Sequence, residues 1–296
     1  MQKRDVQEFG WTLEDEIFRL HEDLKSGIYE HGPYESFYVC DPKRRHIHKP
    51  AVRDRLVHHA VVRVIDPLFD PTFIFDVWSC RKGKGTHEAV RRFQKFAWKL
   101  SRNDTRTVWV LKLDIQKFFQ NVDQGALLAI LSRTIVDDRA MALLKNILGS
   151  FPKGIPLGNL TSQLFANVYM NELDRFVKHE LRMHSYLRYC DDFVLLHQDP
   201  KALESALPRV RSFLIGRLRL LLHPDKIIIG RYNRGINFLG FVCFPHYRIL
   251  RTKTKRRLLK RINRNNVASY IGLLRHCRSW GIWEELRISD FFDTIL

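Results

Sequence analysis

Two adjacent carboxylates, Asp191 and Asp192, stand inside a short apolar stretch of the sequence. The chain has 50 Lys and Arg residues against 32 Asp and Glu residues, so a like-charged acidic pair calls for a nearby cation. Mg²⁺ is the natural candidate, because it prefers oxygen ligands and is held by one or two carboxylates plus substrate phosphates. Asp is also common in turns, so a solvent-exposed Asp-Asp turn is the alternative. The pair alone leaves both interpretations open.

A third carboxylate favours the metal. Asp114 ends the apolar segment 107–113, which has the length and composition of a buried strand. The segments on either side of Asp191 and Asp192 read as two further strands, with the acids at the turn between them. Three carboxylates that converge from neighbouring strands suit two metal ions roughly 3.5–4 Å apart, which hold the attacking and leaving oxygens of a phosphoryl transfer. The sequence therefore predicts Asp114, Asp191 and Asp192 as catalytic, metal-binding residues.

The order of the motifs resembles that of reverse transcriptases. The motifs that carry the resemblance lie in order between about residue 46 and residue 245: Arg53–His59, Cys80–His87, Leu113–Ile115, Gly154–Gln163, Tyr189–Asp192, His223–Lys226 and Asn237–Phe241. Within that family, the Leu-Gly-X-X-X-Ser-Gln pattern from Leu157 to Gln163 is similar to that of diversity-generating retroelements. Most relatives carry Gln where this chain has Leu157.

The resemblance implies an α+β fold shaped like a right hand. It places an N-terminal segment and helical/β fingers in residues 1–106 and an antiparallel-sheet palm backed by helices in residues 107–245. A fingers insertion is expected around residues 125–160. A short, basic, helical thumb is expected in residues 246–296.

Hydrophobic periodicity predicts several of the elements directly. Residues 12–26 read as an amphipathic helix that Thr12 opens with a capping box. The segment 27–50 reads as irregular. A second helix is capped by Thr86, and a long helix after Ser162 packs beneath the palm strands.

The resemblance also implies a role for individual residues. One expected Mg²⁺ ion is bound by Asp114 and Asp191 and activates the primer hydroxyl. A second is bound by Asp114 and the main-chain carbonyl of Ile115 and holds the triphosphate. Mn²⁺ is an alternative ion at both positions. The residues expected to bind the nucleotide are Arg53, Arg81, Lys82, Lys84, Phe119, Leu157, Gly158, Gln163 and Lys226. The expected primer grip is Phe238, Leu239 and Gly240. The expected contacts of the thumb with nucleic acid are Arg256, Arg257, Lys260, Arg261 and Arg264.

Two of these positions bear on the product. An aromatic ring at Phe119, under the incoming sugar, leaves no room for a 2′-hydroxyl, so DNA is the expected product. Leu157 offers no hydrogen bond where Gln offers an amide, so we expect low fidelity and errors opposite template adenines. The expected partners are template RNA, primer, cDNA, dNTPs and a small, basic, oligomeric accessory variability protein.

The composition agrees with this interpretation and indicates the kind of partner and the cellular compartment. A formal charge of +18 and a pI near 9.9 indicate a polyanionic partner. The five cysteines are scattered without metal-like spacing, which favours a reducing, cytoplasmic setting. No apolar run approaches the ~20 residues of a membrane helix, so no membrane partner is expected.

Two alternatives remain open at this point. The first keeps the chemistry in a group II intron-like or defence-associated reverse transcriptase. The second is a non-catalytic RNA-binding scaffold, against which the presence of all three acids argues.

Overall fold

A computed structural model describes residues 4–40 and 44–288 of the chain. Its helices are α1 Arg4–Trp11, α2 Leu13–Ser26, α3 Val52–Phe69, α4 Thr86–Ser101, α5 Phe118–Asn121, α6 Gln124–Leu131, α7 Asp138–Gly149, α8 Leu160–Arg175, α9 Pro200–Leu218, α10 Thr252–Arg261, α11 Val267–Leu274 and α12 Trp280–Ile288. Its strands are β1 Glu35–Val39, β2 Arg45–Lys49, β3 Trp109–Asp114, β4 Tyr186–Tyr189, β5 Asp192–His197, β6 Ile228–Arg231, β7 Ile236–Phe238, β8 Phe241–Cys243 and β9 Arg248–Leu250. The last part of the predicted thumb, residues 289–296, lies outside the described residues.

A four-stranded antiparallel sheet forms the centre of the structure, in the order β4-β5-β3-β6. Successive side chains of a strand point to opposite faces, so the apolar strands β3 and β5 can bury both faces of the sheet. Leu111 and Leu113 join one hydrophobic cluster, whereas Val110 and Val194 join another. The sheet is therefore the middle layer between two cores.

Different elements cover the two faces of the sheet. Buried side chains of α3, α6, α7, α8 and α9 form the core on one face. The other core takes its side chains from α4, the small sheet β7-β8-β9 and the C-terminal helices. Helix α8 continues through one π-helical turn at Phe176–Glu180, which accounts for the long apolar stripe predicted after Ser162.

The segment 27–50 was expected to be irregular, and that prediction is wrong for the two strands within it. Strands β1 and β2 form an antiparallel hairpin in which Tyr38 pairs with His46 and Phe37 pairs with Ile47. The stacked rings of Tyr38 and His46 form a cross-strand pair, which a count of apolar residues does not register because β2 consists largely of Arg, His and Lys.

Neither predicted threonine cap makes a capping hydrogen bond. Thr12 is the N-cap residue of α2, as predicted, but its side chain accepts no hydrogen bond from the helix. Thr86 is already the first residue of α4, whose N-cap is Gly85, and its hydroxyl donates to the Tyr189 hydroxyl at 3.1 Å. The position of the first cap is therefore confirmed, and that of the second is wrong by one residue.

The basic segment after residue 250 forms a helix with one apolar side. In α10, Leu258 is buried in the core beneath the small sheet, and Leu259 and Ile262 pack partly against it. In the described part of the chain, no helix is both long and apolar enough to cross a membrane.

Candidate active site

The strand register brings the three predicted carboxylates together. Asp114, the last residue of β3, lies directly opposite Asp192, the first residue of β5. Asp191 sits in the tight turn between β4 and β5, and the Ile115 N–H donates to its carbonyl at 3.2 Å. One end of the central sheet thus carries all three acids.

These carboxylates are costly to hold as anions without a cation. Burial raises the pKa of Asp191, and the neighbouring charge of Asp114 raises it further. Burial also raises the pKa of Asp192, although the nearby Lys112 ammonium opposes that rise. Like charges that share a low-dielectric site raise each other's pKa and favour a positive ligand.

Two lysine ammonium groups partly neutralise the negative charge of the carboxylates. Lys226 Nζ donates to Asp114 Oδ1 at 2.6 Å, and Lys112 Nζ lies 3.2 Å from Asp192 Oδ1. Lys112 also donates to the Asn237 carbonyl at 3.1 Å. Sequence reasoning missed Lys112, although its position two residues before Asp114 puts both side chains on one face of β3.

The donor set fits a hard divalent ion that shares its shell with a substrate. Within residues 4–40 and 44–288, no three His, Cys, Asp or Glu side chains form a self-contained metal cage. Mg²⁺ does not need one, because it completes its shell with water and substrate phosphates. The Lys226 ammonium on Asp114 shows that this position accepts a cation.

A buried arginine holds the turn that carries Asp191. Arg188 and Asp174 are both fully buried, with a shortest N–O distance of 2.7 Å, and Arg188 also donates to the Cys190 carbonyl at 3.1 Å. Cys190 has a left-handed backbone (φ 56°), and its N–H donates to Ser79 Oγ at 2.8 Å. Such a conformation costs free energy in a non-glycine residue, so these contacts fix the turn. Sequence reasoning did not identify Arg188.

Asp114 and Asp191 open onto a cleft of about 340 Å³, whereas Asp192 is not among the residues that line it. Its wall contains the predicted site residues Asp114, Ile115, Phe119, Leu157, Asp191 and Lys226. Phe118 also contributes but is otherwise buried in the core, so Phe119 is the half-exposed ring of the pair. Sequence reasoning missed the contribution of the β1–β2 hairpin to this wall, namely Arg44, Arg45, His46 and His48, and that of His223.

The loop before α8 joins the hairpin to the cleft. The His48 N–H donates to the Leu157 carbonyl at 3.1 Å. Gly158 has φ +117°, and a Cβ there would lie 2.9 Å from the Ile47 side chain, so glycine lets the hairpin dock. Gln163 is exposed on the first turn of α8 and does not line the cleft.

Three of the basic residues predicted to bind the nucleotide contact other groups of the protein. Arg53 pairs with Asp23, and Arg81 Nε donates to Asp70 Oδ1 at 2.6 Å. The Lys84 ammonium donates to the Phe75 carbonyl at 2.8 Å and lies 3.5 Å from the centre of that ring. None of them lines the cleft, and neither does the exposed Lys82. Their nucleotide-binding role stays a prediction.

The predicted primer grip is a hairpin turn. Leu239 and Gly240 join β7 to β8 with positive φ values of 46° and 90°, as a two-residue turn between antiparallel strands requires. Phe238 is buried, and Lys112 reaches the carbonyl of its neighbour Asn237. The Lys112 side chain therefore connects β7, the strand before this turn, to Asp192.

The predicted thumb contacts belong to α10 and the loop that follows it. Arg256, Lys260, Arg261 and Arg264 are exposed, whereas Arg257 is half-buried. Their contact with nucleic acid stays a prediction.

Three carboxylates at the end of an antiparallel sheet, two of them on a cleft with basic walls, suit metal-assisted phosphoryl transfer. Residues 40–243 match the family described as reverse transcriptase (RNA-dependent DNA polymerase). The chain therefore belongs to the reverse transcriptase family.

Several known proteins are similar to this chain. Protein YkfC of Escherichia coli (strain K12) is 29% identical over 288 residues, covering 81% of this chain and 72% of its own. The group II intron-encoded protein LtrA of Lactococcus lactis subsp. cremoris is 25% identical over 215 residues, covering 67% of this chain and 35% of its own. The chain thus spans about a third of the length of LtrA.

Solved telomerases share the fold. The apo telomerase of Candida tropicalis matches with a TM-score of 0.58 and 11% identity, covering 79% of this chain and 50% of that one. A telomerase of Candida albicans matches with a TM-score of 0.57. At this identity the likeness concerns the fold alone, and it confirms the mixed helix and sheet architecture.

Proposed function

We propose that the chain copies a template-repeat RNA into error-prone cDNA for a diversity-generating retroelement. RNA-dependent DNA polymerisation follows from membership of the family. The assignment to a diversity-generating retroelement is our own proposal. The observation that carries this assignment is the place of Leu157, an apolar residue that lines the same cleft as Asp114 and Asp191.

Five residues of the cleft have a task in this part of the proposal. Asp114 and Asp191, with the main-chain carbonyl of Ile115, hold two Mg²⁺ ions or, alternatively, Mn²⁺. When bound, the ions lower the pKa of the primer hydroxyl and offset charge on the leaving pyrophosphate. Lys226 leaves Asp114 and places its ammonium beside the phosphates. Phe119 excludes the 2′-hydroxyl of a ribonucleotide, so the polymer is DNA.

The hairpin supplies the triphosphate clamp that the sequence analysis assigned to Arg81, Lys82 and Lys84. Arg44 and Arg45 belong to the wall of the cleft, as Lys226 does. Guanidinium groups match phosphate oxygens in geometry and charge. We therefore assign triphosphate binding to Arg45 and Lys226 before Arg53, Arg81, Lys82 or Lys84.

Low fidelity follows from what Leu157 cannot do. An amide at this position would donate and accept hydrogen bonds, which a mispaired nucleotide would leave unsatisfied. A leucine imposes no such check, and a difference of about 1 kcal/mol changes selectivity roughly five-fold.

Sequencing of cDNA made from a defined RNA template tests this proposal. We expect Leu157→Gln to lower errors opposite template adenine by about five-fold relative to errors opposite the other bases. Leu157→Met, which keeps an apolar side chain of similar volume, should leave the pattern unchanged. An adenine error rate that is the same in wild type and Leu157→Gln would exclude this role for Leu157.

The proposal includes partners and an architecture. The template RNA, primer and cDNA lie between the basic α10 and the central sheet, which act as thumb and palm, with fingers formed by the hairpin and α3–α4. A small, basic, oligomeric accessory variability protein assists copying in the cytoplasm. Repeating the sequencing with and without that protein measures its contribution.

A group II intron-like enzyme is the second candidate, because the matched region of LtrA covers two thirds of this chain. The chemistry is the same in both candidates, and the genomic setting differs. An adenine-variable repeat pair beside the gene supports the retroelement, whereas an intron RNA that encloses the gene supports the second candidate.

A further inference from the structure

The exposed side of α4 and the turn after it carry basic residues and one large aromatic ring. Lys95 and Lys99 are four residues apart, so both side chains share one face of the helix. Trp98 lies on the same face, three residues after Lys95, and is 54% exposed. Arg102 and Arg106 are exposed in the turn that follows the helix. We call Lys95, Trp98, Lys99, Arg102 and Arg106 the α4 corner.

The α4 corner lies far from the catalytic carboxylates. None of its residues lines the cleft. The Gln198 side chain, which follows the last residue of β5, donates a hydrogen bond to the Leu100 carbonyl near the end of α4. Asp192 is the first residue of β5, and the six residues of that strand span roughly 17 Å. The corner is therefore at the opposite end of the central sheet from the acids.

An unusual turn holds the Trp98 ring. Arg102, Asn103 and Asp104 all have left-handed backbones, with φ values of 50°, 57° and 63°. Residues other than glycine adopt this conformation one at a time, because it brings Cβ close to the backbone. Here it lets Asn103 reach back to Trp98: the Asn103 N–H donates to the Trp98 carbonyl at 3.1 Å, and Asn103 Oδ1 accepts from the indole Nε1–H at 2.9 Å. The indole is thus fixed by one edge while about half of the residue faces water.

The protein does not neutralise the cations of the α4 corner. Within the described ranges of the chain, none of its four basic side chains has a carboxylate within ion-pair distance. The nearby Asp104 carboxylate is mostly buried and lies 3.4 Å from His246 Nε2. Cations in the last turn of a helix stabilise its dipole, but Lys95 and Arg106 lie outside that turn of α4. A surface that served solubility alone would also mix charges of both signs.

An exposed indole among unpaired cations matches one kind of ligand. Unpaired nucleobases stack on aromatic side chains, since every base has a π-face, and Lys and Arg neutralise the phosphates between the bases. No ring or cation covers Trp98 in the part of the chain that the structure describes, so the indole has room for a base. A double helix offers no such face, because its bases are stacked on each other.

We propose that the α4 corner is a second nucleic-acid site, which binds an unpaired strand outside the cleft. One base of the strand stacks on Trp98, and the neighbouring phosphates lie against Lys95, Lys99, Arg102 and Arg106. This inference goes beyond the proposed function, because neither polymerisation nor low fidelity requires the site. A flank of the template RNA and a released length of cDNA present the same chemistry to it.

A short labelled strand tests the site while the cleft is occupied. Wild-type protein is first saturated with an unlabelled primer–template duplex and then titrated with a fluorescent single strand of roughly 12 nucleotides. RNA and DNA strands of the same sequence are compared, and the one that binds more tightly identifies the natural strand. We expect Trp98→Ala to weaken binding by about five- to a hundred-fold, and Trp98→Phe to keep most of it.

The charges of the corner have their own measurement. Replacing Lys95, Lys99 and Arg102 together with Gln removes three of the four cations. Each phosphate contact with a single strand contributes about 0.7 to the slope of log affinity against log salt concentration. The triple variant should therefore reduce that slope by about two.

Trp11→Ala is the matched control, because Trp11 is 81% exposed and is followed by the acids Glu14 and Asp15 instead of a basic helix face. It should leave binding of the strand unchanged. Trp98→Ala should also extend the primer of the short duplex at the wild-type rate.

Three results would overturn the site. They are an equal loss of binding in Trp98→Ala and Trp11→Ala, release of the strand when the duplex fills the cleft, and an unchanged salt slope in the triple variant. A wild type that extends the primer but does not bind the strand refutes the second site and leaves the proposed function intact. A wild type that binds the strand but extends no primer has the opposite meaning.

Discussion

Replacing Arg188 with methionine should destabilise the protein more than any change at its surface. The Arg188 guanidinium and the Asp174 carboxylate are completely buried, and Nε and Nη2 of Arg188 donate to the two carboxylate oxygens at 2.7–3.1 Å. The Tyr186 hydroxyl donates to the same carboxylate at 2.6 Å. Arg188→Met leaves that carboxylate charged, buried and without its cation.

The expected loss of unfolding free energy follows from leaving the buried Asp174 carboxylate without its cation. Removing one partner of a buried ion pair costs about 3–5 kcal/mol, because the remaining charge stays out of water. Domains are stable by only about 5–15 kcal/mol in total. For a chain of 296 residues, the loss corresponds to a fall in Tm of roughly 5–8 °C.

Urea unfolding followed by circular dichroism measures the loss, with two controls. Adding Asp174→Asn to Arg188→Met removes the second charge, keeps an oxygen acceptor for Tyr186 and should restore more than half of the lost free energy. Arg133→Met breaks an exposed pair with Glu172 at 3.1 Å and should cost less than about 1 kcal/mol. If Arg188→Met costs no more than Arg133→Met, the buried pair does not hold the turn.

Two further predictions use the pKa values of buried groups. Burial and the charge of Asp114 raise the pKa of Asp191, so the Asp191 carboxylate destabilises the metal-free fold at neutral pH. Asp191→Asn should therefore keep or raise the Tm measured in EDTA. Mg²⁺ should raise the Tm of wild type and leave that of Asp191→Asn unchanged. A lower Tm for Asp191→Asn in EDTA would contradict this reasoning. Burial lowers the pKa of His58 from 6.5 to about 4, so the unfolded chain takes up a proton before the folded one. The unfolding free energy should then fall by up to roughly 3 kcal/mol as pH drops through that window. His58→Gln should remove this part of the pH dependence in urea titrations at pH 7.5 and 5, and an unchanged slope would refute the assignment.

The three carboxylates could be predicted from the sequence because the strands beside them have a recognisable apolar pattern. An apolar run that ends in Asp114, and two runs that flank Asp191, specify strands whose ends can meet. The register Asp114↔Asp192 then follows from antiparallel pairing. Phe119, Leu157 and Lys226 came from the family resemblance, and the structure places them on the same cleft.

Residues whose role depends on contacts between distant parts of the chain could not be predicted from the sequence. Arg44 and His46 stand in a segment with no clear periodicity, and only the fold brings them to the cleft. Arg188 reads as an ordinary strand residue until Asp174 is seen beside it. Arg81 reads as a free basic group, but the Asp70 carboxylate eleven residues earlier binds it (81 − 70 = 11).

Single-nucleotide extension of a primer on an RNA template tests most directly whether Asp114 and Asp191 form the catalytic centre. With Mg²⁺, wild type should add the complementary deoxynucleotide and discriminate against the ribonucleotide. Asp191→Asn should bind the same duplex with unchanged affinity and add nothing. Extension by Asp191→Asn at the wild-type rate, or none by wild type on any RNA template, would contradict the account.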